Sequence, residues 1–306
     1  MKIKTAFFST FLLFSLIPTF FSCSDIPISS GPILPEMELV YGRTIAESEE
    51  DGVFIEGRTV TLGNFWMGIY EVTQAEYESV MKNQTVEIAE EEYVLNSNPS
   101  KNTEQNLATN EVQKNRPVEN ISWYDAVYYC NALSNKTGKK CAYKIEIEEI
   151  DRTGSITSAT VELDITANGY RLPTEAEWEF AARGGGLEAA TDWSYKYSGS
   201  NKIDSVCWDN FNSSRKSHQV GLKSPNRLGL YDMSGNVAEW CHDFYHYISP
   251  TEETNPTGTL HGDFKVFRGG SFASFSEDCT VSKRDSKEPD VTSTKIGFRV
   301  VRTVKN

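Results

Sequence analysis

A surplus of positive charge is what this chain lacks most plainly: 30 lysines and arginines stand against 43 aspartates and glutamates, a formal charge of −13. The acid is bunched in runs at Glu47–Asp51, Glu87–Tyr93 and Glu146–Asp151. No basic face is left to neutralise phosphates, so a nucleic-acid partner is not expected. No internal repeat of solenoid period is visible, which removes the repeat architectures. The cysteines offer no pair at the short spacing of a zinc or thioredoxin-like motif. Histidine is scarce, with only His218, His242, His246 and His261. His242 and His246 have metal-like spacing, but Pro250 follows closely and no third ligand is evident, so they read as loop residues.

What is there is ample apolar material, 39% of 306 residues, enough to bury a large core. Residues 1–22 read as a secretory signal, with Lys2 and Lys4 ahead of an apolar run from Ala6 to Phe21. Ser22-Cys23 at its end is similar to a bacterial lipobox, which implies cleavage before Cys23, acylation of its sulfur and anchoring to the bacterial membrane, at its outer surface. An ordinary signal peptide or a short membrane anchor is the alternative. Residues 23–37, with Pro27, Pro32 and Pro35, then read as a lipidated, extended tether. With Cys23 used, Cys130, Cys141, Cys207, Cys241 and Cys279 remain, an odd set that leaves at least one free thiol. A Cys130–Cys141 disulfide and buried unpaired thiols are both open readings.

Three helices announce themselves by their first turns. Thr73-Gln-Ala-Glu76 and Thr174-Glu-Ala-Glu177 are capping boxes, and Ser122 caps a third helix. Behind the caps, Tyr77, Val80 and Met81, then Trp123, Ala126, Val127, Cys130 and Leu133, then Trp178, Ala181 and Ala182 recur at helical spacing and read as core. Gly138 and Gly184 supply stops. Phe54–Leu62 and Phe65–Tyr70 suggest a hairpin around Gly63-Asn64, and Tyr143–Ile150 with Thr160–Ile165 a second. Lys82–Arg116 reads as a long exposed loop, and Phe264–Arg268 and Ile296–Arg302 as closing strands. Few helices and many irregular connections predict one loop-rich α+β domain over 38–306.

The stretch Gly229-Leu-Tyr-Asp232-Met-Ser-Gly235-Asn236-Val237-Ala-Glu239-Trp240 packs a turn, two carboxylates and two aromatics into a short span. Gly235-Asn236 tolerates positive φ, and carbonyls turned inward there would join Asp232 and Glu239 around a hard cation, calcium before zinc or iron. The bland alternative is a tight surface turn with Trp240 plugged into the core.

Taken in order, Glu71-Val-Thr-Gln74, Pro117–Ala126, Gly169–Glu179, Gly229–Asn236, Phe267–Ser271 and Gly297-Phe-Arg299 resemble the formylglycine-generating enzyme (sulfatase-modifying factor) family over nearly all of the mature chain. The resemblance implies that family's C-type-lectin-like fold. It also implies a structural calcium on Asp232, Gly235, Val237 and Glu239. Enzymatic members oxidise a substrate cysteine with copper(I) on two thiolates spaced five apart. Aligning Arg268-Gly-Gly-Ser271 puts Ser274 at the first of these and Cys279 at the second. A serine hydroxyl is too hard and too weakly acidic to replace a thiolate, so the chain keeps half a site and is expected neither to hold copper nor to generate formylglycine.

Residues 272–295 are similar instead to the variable region of retroelement-diversified C-type-lectin-fold proteins, with an ordinary drifted surface loop as the alternative. The resemblance makes Phe272, Ala273, Ser274, Phe275, Asp278, Asp285, Ser286, Asp290, Val291, Ser293 and Thr294 the candidate ligand-binding residues. Glu277, Lys283, Lys287, Glu288 and Lys295 fall outside the set that templated mutagenesis of an AAC codon reaches. Two function classes follow: a non-enzymatic, surface-anchored protein binding a protein or glycan ligand, or a diverged oxidoreductase or maturation factor using Cys279.

Overall fold

Each of the three expected helices begins where its first turn closes on itself. In α1 (Gln74–Met81) the Thr73 hydroxyl accepts from Glu76 N while Glu76 Oε2 accepts from Thr73 N at 2.7 Å. Ser122 and Asp125 repeat the exchange at α2 (Trp123–Lys136), as do Thr174 and Glu177 at α3 (Glu175–Ala182). Left-handed glycines at Gly138 (φ 64°) and Gly184 (φ 86°) follow the ends of α2 and α3. The computed structural model describes residues 31–46, 58–103, 107–185, 191–248 and 251–304. The signal segment, Cys23, most of the tether and residues 54–57 lie outside the described residues.

The helices serve two cores. Tyr77, Val80, Trp123, Val127, Tyr129 and Leu133 of α1 and α2 pack with Trp240 and Phe298, while Trp178, Phe180 and Ala181 of α3 pack with Phe65, Met67, Val266 and Val301. One four-stranded sheet orders Met37–Val40, Phe65–Gly68, Val301–Thr303 and Tyr170–Arg171. The other orders Arg284–Lys287, Lys265–Arg268, Ala238–Phe244 and Ile296–Gly297. Among the described residues no helix is long and apolar enough to cross a membrane.

Four expectations are corrected. Val60–Thr61 does not pair with Phe65–Gly68: it joins Thr44–Ile45 and Glu253–Thr254, because both edges of Phe65–Gly68 are taken by Met37–Val40 and Val301–Thr303. The stretch 82–116 is no plain loop, since Thr85–Ile88 and Glu91–Val94 form a hairpin. Its turn places Ala89 (φ 51°) and Glu90 (φ 70°) in the left-handed region without the Asn-Gly that advertises such turns. Ile296–Arg302 splits between the two sheets. Finally, the end of the expected tether docks: Ile33 N donates to Ser79 Oγ at 3.0 Å and Ile69 N to Glu36 O at 2.8 Å. The hairpin of Tyr143–Ile150 forms as expected, with its second strand at Ile156–Leu163.

Candidate ligand-binding face

The second sheet brings together three motifs that are distant in the chain. Ala238–Phe244 carries the end of the Gly-Asn turn, Lys265–Arg268 leads into Gly269-Gly270-Ser271, and Arg284–Lys287 is an edge strand made from the candidate segment itself. Strand alternation decides what that edge does. Arg284 turns inward to grip Glu175, Nε to Oε1 at 2.5 Å and Nη2 to Oε2 at 2.8 Å. Asp285 and Lys287 take the other face and line a pocket of about 230 Å³ with Ser274, Asp278, Lys283, Ser293 and Lys295, floored by Phe267 and the glycine pair. Lys283 lies 3.1 Å from Asp278, which raises its pKa.

The candidate residues therefore separate. Ser274, Asp278, Asp285 and Ser293 line the pocket. Phe275, 53% exposed, follows the lining residue Ser274 in the chain, and its ring lies 6.0 Å from that of Phe211, itself 73% exposed. Phe272 is corrected to a scaffold residue: it is buried, its N–H donates to Asn236 O at 2.7 Å and its carbonyl accepts from Ser213 Oγ at 2.7 Å. Ser274 is half-buried, and its Oγ accepts from Ser271 N at 3.0 Å, so it shapes the turn as well as the pocket. Ser286 lies in register with Val266, away from the Asp285 face. Ala273, Asp290, Val291 and Thr294 lie outside the pocket lining, and the backbone of this stretch is fixed by Asn120 N on Ser293 O and by Asn102 Nδ2 on Thr294 O.

Lys283, Lys287, Lys295 and Phe211 were missed. The period-two run Lys283-Arg-Asp285-Ser-Lys287 carried the signal for two of the lysines. Phe211 carried none.

The stretch from Gly229 to Trp240 is built from the inside. Gly235 (φ 81°) admits no side chain, because a Cβ would stand 2.2 Å from Trp208 O. Asn236 Nδ2 donates to Glu71 Oε2 at 2.7 Å, and Val237 N to Glu71 Oε1 at 3.0 Å. Glu239 spends both oxygens on Arg299, at 2.6 Å each, and Oε2 also accepts from Trp178 Nε1 at 2.7 Å. Asp232 Oδ2 accepts from Gly221 N at 2.7 Å, and its Oδ1 is buried without a partner. Burial raises Glu71 well above the usual carboxylate range, with Asp232 and Glu239 adding to it, and burial likewise pushes Asp232 up to about 6.

The expected ligand set of Asp232, Gly235, Val237 and Glu239 does not fit calcium in this arrangement, because a guanidinium already holds Glu239. Among the described residues no group of three or more His, Cys, Asp or Glu side chains is placed to hold a metal. His242 belongs to the strand Ala238–Phe244, packed against Trp123 and Tyr143, while His246 bonds Phe244 O beyond that strand's end. Cys130 and Cys141 are unpaired. Cys279 is fully buried next to Cys207.

Fold and face together define a loop-rich α+β domain of the C-type-lectin-like class, presenting one irregular segment over a buried ionic frame. A family model described as the sulfatase-modifying factor enzyme 1-like domain matches residues 32–304. The chain therefore belongs to the sulfatase-modifying factor family. It is similar to the chaperone protein LppX of Paenibacillus barcinonensis, with 31% identity over 96% of this chain and 98% of that protein. To the formylglycine-generating enzyme of Bos taurus it is 26% identical over 89% of this chain and 74% of that enzyme. Among solved structures, Treponema denticola variable protein 1 superposes with a TM-score of 0.73 at 33% identity, covering 88% of this chain and 95% of that one.

Proposed function

We propose that the chain is a non-enzymatic binding protein, exported and held at a membrane through Cys23, whose ligand seats in the pocket of Asp278, Lys283, Asp285, Lys287 and Lys295 with Phe211 and Phe275 at its margin. The carrying observation is the division of labour along one segment: Cys279 and Val281 are buried and Arg284 grips Glu175, while Asp278, Lys283, Asp285 and Lys287 line the pocket. Two aromatic rings beside a mixed-charge pocket supply large contact area at low entropy cost. The likeness to a variable protein and to a chaperone supports a role in holding rather than converting a partner. A second reading, favoured by the chaperone relative alone, is a maturation factor that holds a client protein at the same face.

The test is Phe211→Ala/Phe275→Ala/Asp285→Ala, with wild type and variant both screened on glycan and protein arrays. Saturable wild-type binding lost in the variant, with a melting temperature within about 2 °C, is expected, because exposed positions contribute little to stability. Unfolding of the variant, or binding that survives it, refutes the face. Palmitate label that enters wild type and vanishes in Cys23→Ala tests the anchor, and a near-copy of codons 272–295 beside a reverse-transcriptase gene tests diversification.

A further inference from the structure

Two thiols meet beneath the proposed binding segment. Cys207 follows the short helix Ile203–Val206, and Cys279 follows the turn Ser276–Asp278. Both are fully buried, and with Tyr197 and Val206 they make an apolar nest separate from the two main cores. Each sulfur is wedged against a scaffold glycine: a Cβ on Gly235 would stand 2.5 Å from Cys207 Sγ, and one on Gly270 would stand 2.8 Å from Cys279 Sγ. Both are free thiols packed in the same nest. The loops that carry them are already laced together. Asn210 N donates to Ser274 O at 2.9 Å, and Ser276 Oγ to Asp209 Oδ2 at 2.8 Å. Oxidation would close a contact that exists rather than drag two loops together.

We propose that Cys207 and Cys279 form a disulfide that staples the loop around Phe211 to the base of the 272–295 segment, so that both sides of the binding face are held at a fixed spacing. This rests on the export reading above, since such bonds persist outside the reducing cytoplasm. The chemistry is thiol–disulfide exchange. One cysteine thiolate attacks the disulfide of an oxidised thiol carrier and expels one carrier thiolate, and the second cysteine then attacks the mixed bond and expels the other. Two electrons pass to the carrier, whose two sulfurs take up the protons the cysteines lose. The neighbouring thiol and burial push Cys207 far up, so its thiol scarcely ionises in the folded protein. Exchange therefore belongs to folding, before the segment closes, and the finished bond is shielded from reductants.

The experiment refolds the purified mature protein in a glutathione redox buffer, alkylates it in denaturant without reductant and maps the peptides. A Cys207 peptide joined to a Cys279 peptide, lighter than their sum by two hydrogens and parted by a phosphine, is expected. Cys207→Ser should leave Cys279 open to alkylation. Prior reduction should lower the wild-type melting temperature by on the order of 5 °C and leave Cys207→Ala/Cys279→Ala unmoved. Alkylation of both cysteines in oxidised wild type overturns the proposal, as does protection that a copper(I) chelator abolishes, which would mean a bridging metal. The redox-buffer result stands apart from the palmitate result, so failure of export and failure of pairing are distinguishable.

Discussion

Glu71, Asp232 and Glu239 set three carboxylates around the single guanidinium of Arg299, all of them almost wholly buried. One positive charge cannot satisfy three acids away from water, so a proton is retained within the group. For Asp232, burial outweighs the Gly221 N–H and Arg299 and raises the pKa to about 6, whereas an unfolded aspartate titrates near about 4. Between those values the folded state binds more protons than the unfolded one, so stability falls as pH rises and the loss is complete above about 6. Asp232→Asn keeps an acceptor for Gly221 N–H and suits the left-handed backbone (φ 58°). It should match wild type near pH 4 and exceed it by on the order of 2 kcal/mol at pH 7, measured by urea unfolding across the window. A calcium ion on Asp232 would pull its pKa down and reverse that slope, so equal slopes with calcium and with chelator are expected.

Helix α3 shows what was legible and what was not. Its cap was, because Thr174 and Glu177 lie within one turn, and so were the apolar positions Trp178, Ala181 and Ala182. Burial of Glu175 and Glu179 was not, since their partners are remote: Glu175 holds Arg284, and Glu179 holds Arg183 and Arg268. Local periodicity assigns a charged residue to solvent and carries no trace of an arginine supplied by another strand. The same blindness hid the Cys207–Cys279 contact and the partners of Glu239, while Ser274, Asp278, Asp285 and Ser293 of the pocket lining were named through the resemblance to a variable region and not through any local pattern. Arg284→Met should cost about 3 kcal/mol by leaving Glu175 buried and short of its main partner, and Arg284→Met/Glu175→Leu should recover much of it. Denaturation of both single variants and the double variant completes the cycle. Faster amide exchange at residues 284–287 should accompany the first loss, because the edge strand is then held only by its ladder to Lys265–Arg268.

At the scale of the molecule, the final stretch serves both large sheets. Ile296–Gly297 pairs in parallel with Ala238–Glu239, Arg299 reaches Glu239, and Val301–Thr303 pairs with both Phe65–Gly68 and Tyr170–Arg171. The two cores are thus tied by a handful of consecutive residues, with the binding segment immediately upstream. A chain cut after Phe298 retains every pocket-lining residue. It nonetheless leaves two strand edges open and Glu239 buried without its cation. Such a chain should be degraded by trypsin within minutes under conditions that leave the intact protein whole.

The place of Val301–Thr303 inside its sheet also carries a consequence for synthesis. That strand fills an interior position between two made much earlier, so Phe65–Gly68 and Tyr170–Arg171 must wait unpaired along that seam until residues 301–303 have been made. A nascent chain displaying its whole recognition segment still lacks that interior strand, and a stop between the two yields a product that quality-control proteases can recognise by its frayed seam.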